Sequence, residues 1–316
     1  MYAGVDLGGT NIACAFADAG RIVVEKSIPT QSDDGPQTVL ARIAGLVREL
    51  AAHVDTKVSA VGIGIPGLVD REHGCTRFLP NLPTQWRDVP VAEMLSPGLG
   101  CPVFLLNDAR LATLGELVFG RGRSVSSMLF FTLGTGVGGG IVMDGKLRLG
   151  PLGGAGEIGH QTIIPDGLAC GCGSRGCLET LASGPAIAAE GVRLMKSGLA
   201  PKLFEIAGGN AAAVGPGEMA RAAAAGDTSI RDAILRAARY LGIGAANLVT
   251  SLDLELIVLG GGVAAIGDLL TAAVRAEICQ RVRMFPVDGI RVERSLLGDK
   301  AGVWGGIALA MRGGAI

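Results

Sequence analysis

The sequence predicts an α/β protein of two domains that share one duplicated design. Three observations predict it. A chain of 316 residues exceeds what a single core usually organises. Short apolar runs alternate with segments whose apolar residues recur at helical spacing. A strand, glycine-threonine turn, strand, tight turn, strand pattern also occurs twice. Leu7-Gly8 lines up with Leu133-Gly134, and the Asp18–Gly20 turn with Asp144-Gly145.

Composition narrows the class. The chain is 49% hydrophobic and 18% charged, enough to fill large cores. Its 51 glycines follow no collagen-like period and cluster after apolar runs, where strands give way to turns. The formal charge is −1, and no basic stripe suits nucleic acid. No apolar run is long enough to span a bilayer, and the start shows no charged-then-apolar signal, so a cytoplasmic location is expected. Cys14, Cys75, Cys101 and Cys279 lie in apolar or turn contexts and read as buried free thiols.

The elements follow in order. Residues 1–7, 12–17 and 21–28 read as three antiparallel strands, with Gly8-Gly9-Thr10-Asn11 as the first turn. Backbone N–H groups and the Thr10 hydroxyl there are the equipment of a phosphate cradle. Asp6 stands just before it, where a carboxylate holds a phosphate-bound magnesium through water; an ordinary hairpin is the alternative. Residues 38–53 carry apolar residues at Val39, Leu40, Ile43, Leu46, Val47 and Leu50, the stripe of an amphipathic helix. Residues 58–65 form a strand that ends in Gly62-Ile-Gly64-Ile-Pro66-Gly67. The spacing matches a dinucleotide fingerprint, but Pro66-Gly67 leads into extended chain rather than a helix, which excludes that reading.

Asn81 sits in a proline-pinned loop, as a sugar-hydroxyl partner or a loop cap. Residues 102–106 form a strand that runs into Asn107-Asp108-Ala109, with a helix over 111–119. Asp108 at a strand–helix junction suits a general base, and an N-cap is the plainer role. Residues 127–132, 141–143 and 146–149 are strands of the second copy, with Gly134-Thr135-Gly136 as its cradle. Two such copies imply a nucleotide clamped between them. Helices are expected over 183–197, 216–225, 228–248, 268–283 and 302–311, and strands over 254–259 and 291–296. Gly260-Gly261-Gly262 permits either close approach to a flat ligand or tight strand–helix packing. No GxxxxGK[ST] string occurs, so this is not a P-loop protein.

The most distinctive stretch is Gly156–Glu179. It holds His160, Cys170, Cys172 and Cys177, bracketed by Glu157 and Glu179. Three thiols and an imidazole suit a closed tetrahedral zinc site, and a disulfide loop is the alternative. Four protein ligands leave no position for water, so the metal is expected to be a structural staple for the two carboxylates.

With these residues in view, the chain resembles the ROK family of the actin-like ATPase superfamily over essentially its whole length. The motifs are Asp6–Asn11, Gly62–Gly67, Asn107-Asp108-Ala109, Leu133–Gly140, Gly156–His160, Cys170–Cys177 and Leu259–Val263. The resemblance implies two actin-like (ribonuclease H-like) α/β domains around a central cleft, with a zinc-binding loop. Residues 1–117, joined by a C-terminal helix at 300–316, would form the small domain and 118–299 the large one. It implies ATP with Mg2+, a structural Zn2+, and Asp108 as the base that deprotonates a sugar 6-hydroxyl. Asn81, Asn107, Asp108, Glu157, His160 and Glu179 would bind the hexose. Asp6, Gly8, Gly9, Thr10, Asn11, Gly134, Thr135, Gly136, Gly261 and Gly262 would hold the nucleotide. His160 would serve both zinc and sugar. The expected substrate is glucose, with an N-acetylated hexosamine or fructose as alternatives. A homodimer or homotetramer is expected, with no nucleic-acid or membrane partner. Family repressors carry a helix-turn-helix before the first strand, which here starts at Tyr2, so an enzyme is expected. Arg110 departs from the family, where many members have Asn.

Overall fold

The computed structural model describes residues 1–18, 20–79, 82 and 86–316. The chain divides into two compact units. One comprises Met1–Ser124, Ile141–Gly156 and Lys300–Ile316; the other comprises Val125–Gly140 and Glu157–Asp299.

The first unit opens with β1 (Tyr2–Leu7), β2 (Asn11–Asp18) and β3 (Arg21–Pro29). These are the three strands the apolar runs predict. Helix α1 (Gly35–His53) follows, and its buried face is the predicted stripe together with Ala44. After β4 (Ala60–Ile65) the chain stays extended into β5 (Leu68–Asp70), which pairs with β6 (Cys75–Phe78). No helix follows Gly67, as the sequence predicts. Helix α2 (Val91–Leu99) leads to β7 (Val103–Asn107) and α3 (Asp108–Phe119). Helix α3 starts three residues earlier than its apolar pattern, because Asn107 caps it by accepting from the Arg110 backbone N–H. Asp108 is therefore the first helical residue.

The duplicated pattern returns with β8 (Met128–Leu133), β9 (Val137–Met143) and β10 (Lys146–Arg148). Strand β9 starts earlier than its apolar residues suggest, because the Gly138–Gly140 run is itself strand. A Cβ on Gly139 would collide with the Phe130 carbonyl and the Ile158 side chain, so glycine lets strand and loop close. Asp144 and Gly145 both have positive φ, the turn that suits a two-residue hairpin. The second unit continues with α4 (Glu179–Ala182), α5 (Gly184–Lys196), α6 (Pro201–Ala207), α7 (Pro216–Ala224) and α8 (Thr228–Leu252). It then runs through β11 (Leu256–Gly260), α9 (Asp268–Arg281) and β12 (Arg291–Arg294). Helix α10 (Ala301–Met311) belongs to the first unit.

Among the described residues, two five-stranded sheets share one topology, β3-β2-β1-β4-β7 and β10-β9-β8-β11-β12. In the first, β1 pairs antiparallel with β2 and parallel with β4, and β4 parallel with β7. In the second, β11 runs parallel to both β8 and β12. Parallel pairing brings strand carboxyl ends to one edge: Asp6 lies opposite Gly64, and Ile65 opposite Asn107. That edge is where open α/β sheets place ligands.

One face of the first sheet packs on α1 and α2 through Val5, Ile43, Val47, Ile63, Leu95 and their neighbours. The other face carries α10, through Ala15, Ala17, Val303 and Ile307. Glycine lets α10 lie close: a Cβ on Gly306 would stand 2.7 Å from Gly4 Cα and 2.6 Å from the Gly62 carbonyl. Cys14 and Cys101 are buried free thiols, as expected. Cys75 and Cys279 are also free but only half-buried, because each lies near the end of a surface element. No helix among the described residues is long and apolar enough to cross a membrane.

Candidate active site

In the first unit the sheet edge assembles two carboxylates. Asp6 lies on β1 with its carboxyl group turned inward, and its pKa is pushed up to about 7, first by burial and then by the negative charge of Asp108. Gly64 stands beside them: a Cβ there would come within 2.7 Å of the Leu111 side chain and would lie at ordinary contact distance, 3.4 Å from Asp6 Oδ1 and 3.5 Å from Asp108 Cα. Asp108 Oδ1 accepts from Asn107 Nδ2 at 2.9 Å and from the Ala109 N–H at 2.8 Å. Asn107 Nδ2 also donates to the Gly67 carbonyl at 3.1 Å. A buried carboxylate raised by a neighbouring acid is a site that a divalent cation relieves, so the donor set fits magnesium.

The first glycine turn stands beside this edge. Gly9, Thr10 and Asn11 are exposed and Gly8 half-buried. The turn is pinned by the Gly8 N–H donating to the Asn11 carbonyl at 2.9 Å and by Thr30 Oγ1 donating to the Gly8 carbonyl at 2.7 Å. A fixed turn with exposed N–H groups fits a phosphate. Asn81 lies outside the described residues.

In the second unit the matching turn is held from below. Gly134 N–H donates to the Gly136 carbonyl at 3.0 Å, and the Gly184 N–H to the Gly134 carbonyl at 2.8 Å. The Val137 N–H donates to Glu179 Oε2 at 3.0 Å. Thr135 is exposed at the tip. Of the glycines after β11, Gly260 packs on the Phe130 ring and Gly261 on the Leu133 backbone, with φ +79 at Gly261. Tight strand packing accounts for Gly260, whereas Gly261 is also exposed. Gly262 is exposed, with open space where a Cβ would stand.

The loop that carries the candidate metal ligands folds by backbone bonds. The Cys170 N–H donates to the Ser174 carbonyl at 2.9 Å and the Gly173 N–H to the Cys170 carbonyl at 3.0 Å. Gly173 and Gly176 take positive φ, 92 and 65, to close these turns. His160 Nδ1 and the sulfurs of Cys170, Cys172 and Cys177 all lie within 4.8 Å of one another. Cys172 Sγ and Cys177 Sγ are 3.7 Å apart, and Cys170 Sγ is 3.6 Å from His160 Nδ1. Zinc–sulfur bonds of about 2.3 Å would space tetrahedral ligands about 3.8 Å apart, whereas a disulfide needs about 2 Å. The group therefore fits zinc and not a disulfide. Burial and the adjacent thiols push Cys177 up to about 12, a proton that a bound metal displaces.

The bracketing carboxylates sit against this cluster. His160 Nε2 is 3.9 Å from Glu157 Oε2, too long for a direct hydrogen bond and short enough for one hydroxyl between them. Glu179 Oε1 is 3.9 Å from Cys170 Sγ, so Glu179 ties the thiol cluster to the Gly134–Val137 turn. That second role was not legible in the sequence, since nothing in the spacing says that Glu179 reaches a main-chain N–H 42 residues away.

A protein-family model described as the ROK family matches residues 2–312. The chain is 40% identical over 313 residues to a glucokinase of Halalkalibacterium halodurans, covering 96% of this chain and 93% of that one. It is 36% identical over 317 residues to a glucokinase of Streptomyces coelicolor, covering 97% and 96%. A solved ROK family glucokinase from Streptomyces griseus, in complex with glucose and AMPPNP, matches with a TM-score of 0.86 at 34% identity, covering 98% of this chain and 99% of that one. With the model match spanning nearly every residue, the chain belongs to the ROK family.

Proposed function

We propose that this chain is an ATP-dependent hexose kinase that phosphorylates the 6-hydroxyl of glucose, with Asp108 as general base. The observation that carries it is the 40% identity to a glucokinase across nearly the full chain. A sugar hydroxyl is a weak nucleophile and needs a base within hydrogen-bond reach. Asp108 is held for that task by Asn107 and the Ala109 N–H. Its neighbour Asp6 is the candidate for holding Mg2+, which when bound neutralises phosphate charge. The N–H groups of Gly8–Asn11 and Gly134–Gly136, with the open edge at Gly262, are the proposed nucleotide contacts. Asn81, Asn107, Glu157, His160 and Glu179 are the proposed partners of the sugar hydroxyls. Such groups discriminate strongly, because a missing hydroxyl leaves a buried partner unsatisfied.

His160, Cys170, Cys172 and Cys177 would hold a structural zinc that fixes the loop between Glu157 and Glu179. A homodimer or homotetramer follows the family resemblance, and sedimentation at assay concentrations tests it. ATP as substrate and clustered reduced thiols both suit the cytoplasm. The deciding experiment is ADP release from ATP and magnesium with glucose, N-acetylglucosamine, N-acetylmannosamine and fructose in parallel. A large preference for glucose is expected. A preference for an acetamido sugar would overturn the substrate assignment while leaving the phosphoryl-transfer chemistry standing.

A further inference from the structure

Arg110 is a buried cation at the sheet edge. Its side chain is 1% exposed and lies in the first turn of α3, two residues after Asp108. A guanidinium so buried persists only where its donors are matched. Arg110 Nε donates to the Ala155 carbonyl at 3.0 Å and Nη2 to the Gly154 carbonyl at 3.2 Å. Nη1 donates to Asn107 Oδ1 at 3.1 Å, and the Arg110 backbone N–H donates to the same oxygen at 3.2 Å.

Two donors from one residue converge on Asn107 Oδ1, so that end of the amide must be its carbonyl. The amide nitrogen is thereby aimed the other way, at Asp108 Oδ1 and the Gly67 carbonyl, at 2.9 and 3.1 Å. A flipped amide would set two donors of Arg110 against an NH2 group and leave Asp108 Oδ1 facing a carbonyl.

We propose that Arg110 is a positioning residue for phosphoryl transfer. It locks the Asn107 amide, the amide orients the Asp108 carboxylate, and the same guanidinium ties down the Gly154–Ala155 backbone just before Glu157 in the chain. The planar fork is needed because the acceptors lie on two separate segments; an ammonium on a flexible stem cannot hold both in one geometry. The inference rests on the kinase reading with Asp108 as base.

The test compares the wild type with Arg110→Gln, Arg110→Lys, Asn107→Ala and the double variant Arg110→Gln/Asn107→Ala. It reads kcat, KM for glucose, KM for ATP and melting temperature. In Arg110→Gln, kcat is expected to fall on the order of 100-fold, the cost of misplacing a reacting group by about 1 Å. The KM for ATP should stay within about twofold, since the hydrogen bonds given above carry Arg110 to Asn107, Gly154 and Ala155 rather than to a glycine turn. Arg110→Lys keeps the charge and the stem and carries the test should the glutamine variant fail to fold. It should recover part of kcat and remain about tenfold below wild type. Because the two side chains act in series, the double variant should lose little more than the worse single one.

Wild-type kcat in Arg110→Lys or Arg110→Gln, with the wild type active on glucose, would overturn this inference and leave the kinase reading intact. Additive losses that follow melting temperature and ATP affinity would also overturn it, as the mark of a fold defect. A wild type that phosphorylates no hexose would overturn the kinase reading and this inference together.

Discussion

Replacing Asp6 by asparagine should stabilise the protein while disabling it, and the gain should depend on pH. The Asp6 carboxyl titrates near 7 against an ordinary value of 3.8, because it is buried and faces Asp108. Between about pH 4 and pH 7 the folded chain holds a proton that the unfolded chain has released. Stability therefore falls as pH rises through that window, and the full penalty stands above pH 7. A shift of roughly 3 units is worth at most about 4 kcal/mol. Asparagine has the same shape and no charge, so it removes the penalty. At about 2 °C per kcal/mol for a chain of this size, Asp6→Asn should melt up to about 8 °C higher than wild type at pH 8 and at nearly the same temperature at pH 4. The assay is thermal unfolding of both proteins across that range, without added magnesium or nucleotide. Asp108→Asn serves as a control: it removes only the smaller, charge-driven part and should raise the melting temperature less. Magnesium with ATP should then stabilise the wild type more than the variant, since the cation takes the place of the proton. A melting difference that stays constant with pH, or a variant less stable than wild type at pH 8, would refute the account of Asp6.

Three further outcomes are expected. Cys172→Ala should purify without zinc and expose the 157–179 loop to protease, because one of four ligands is gone; one bound zinc per chain by metal analysis would contradict the ligand set. Gly302→Ala should cost activity on the order of 100-fold and stability about 1–3 kcal/mol, because the new Cβ falls on the Asp6 carboxylate while α10 is held against Gly4 and Gly62; turnover within twofold of wild type would show that Asp6 has room to move. Glu179→Ala should orphan the Val137 N–H, at about 1–3 kcal/mol, and weaken ATP binding as well as sugar binding; unchanged nucleotide affinity by calorimetry would separate Glu179 from the glycine turn.

Much of the fold was legible because its elements are locally consistent. Strands β1 to β3 announce themselves by apolar runs between Gly8-Gly9 and the Asp18–Gly20 turn, and α1 by a stripe whose members are all buried. The elements that sequence reading missed lack such signals. Helix α2 carries Pro97 inside it and buries only Val91 and Leu95. Helix α6 is 7 residues long, too short for a period to show. In the site, the four candidate metal ligands could be read from residue type and spacing alone, since soft ligands cluster for few other reasons. Arg110 could be seen only as an odd residue, because the oxygens its donors reach belong to Asn107, Gly154 and Ala155, which no local pattern brings together.

The repetition itself says where chemistry must be sought. Both sheets have the same strand order, so any feature the fold alone demands should occur in both copies. The glycine turn after the first strand does, at Gly8-Gly9 and at Gly134-Thr135. The carboxylates do not. Asp6, one residue before the end of β1, corresponds to Thr132 in β8, and Asn107-Asp108 at the end of β7 corresponds to Arg294-Ser295 at the end of β12. In the proposed reaction a phosphate chain can use two cradles, whereas a proton acceptor and a cation site are each needed once. A carboxylate raised to about 7 also costs stability, and a second copy would add that cost without a second reaction to serve. The acids that depart from the internal symmetry are for that reason the residues to mutate first, and Asp6→Asn read against Asp108→Asn is the pair that separates the cost of burial from the cost of charge.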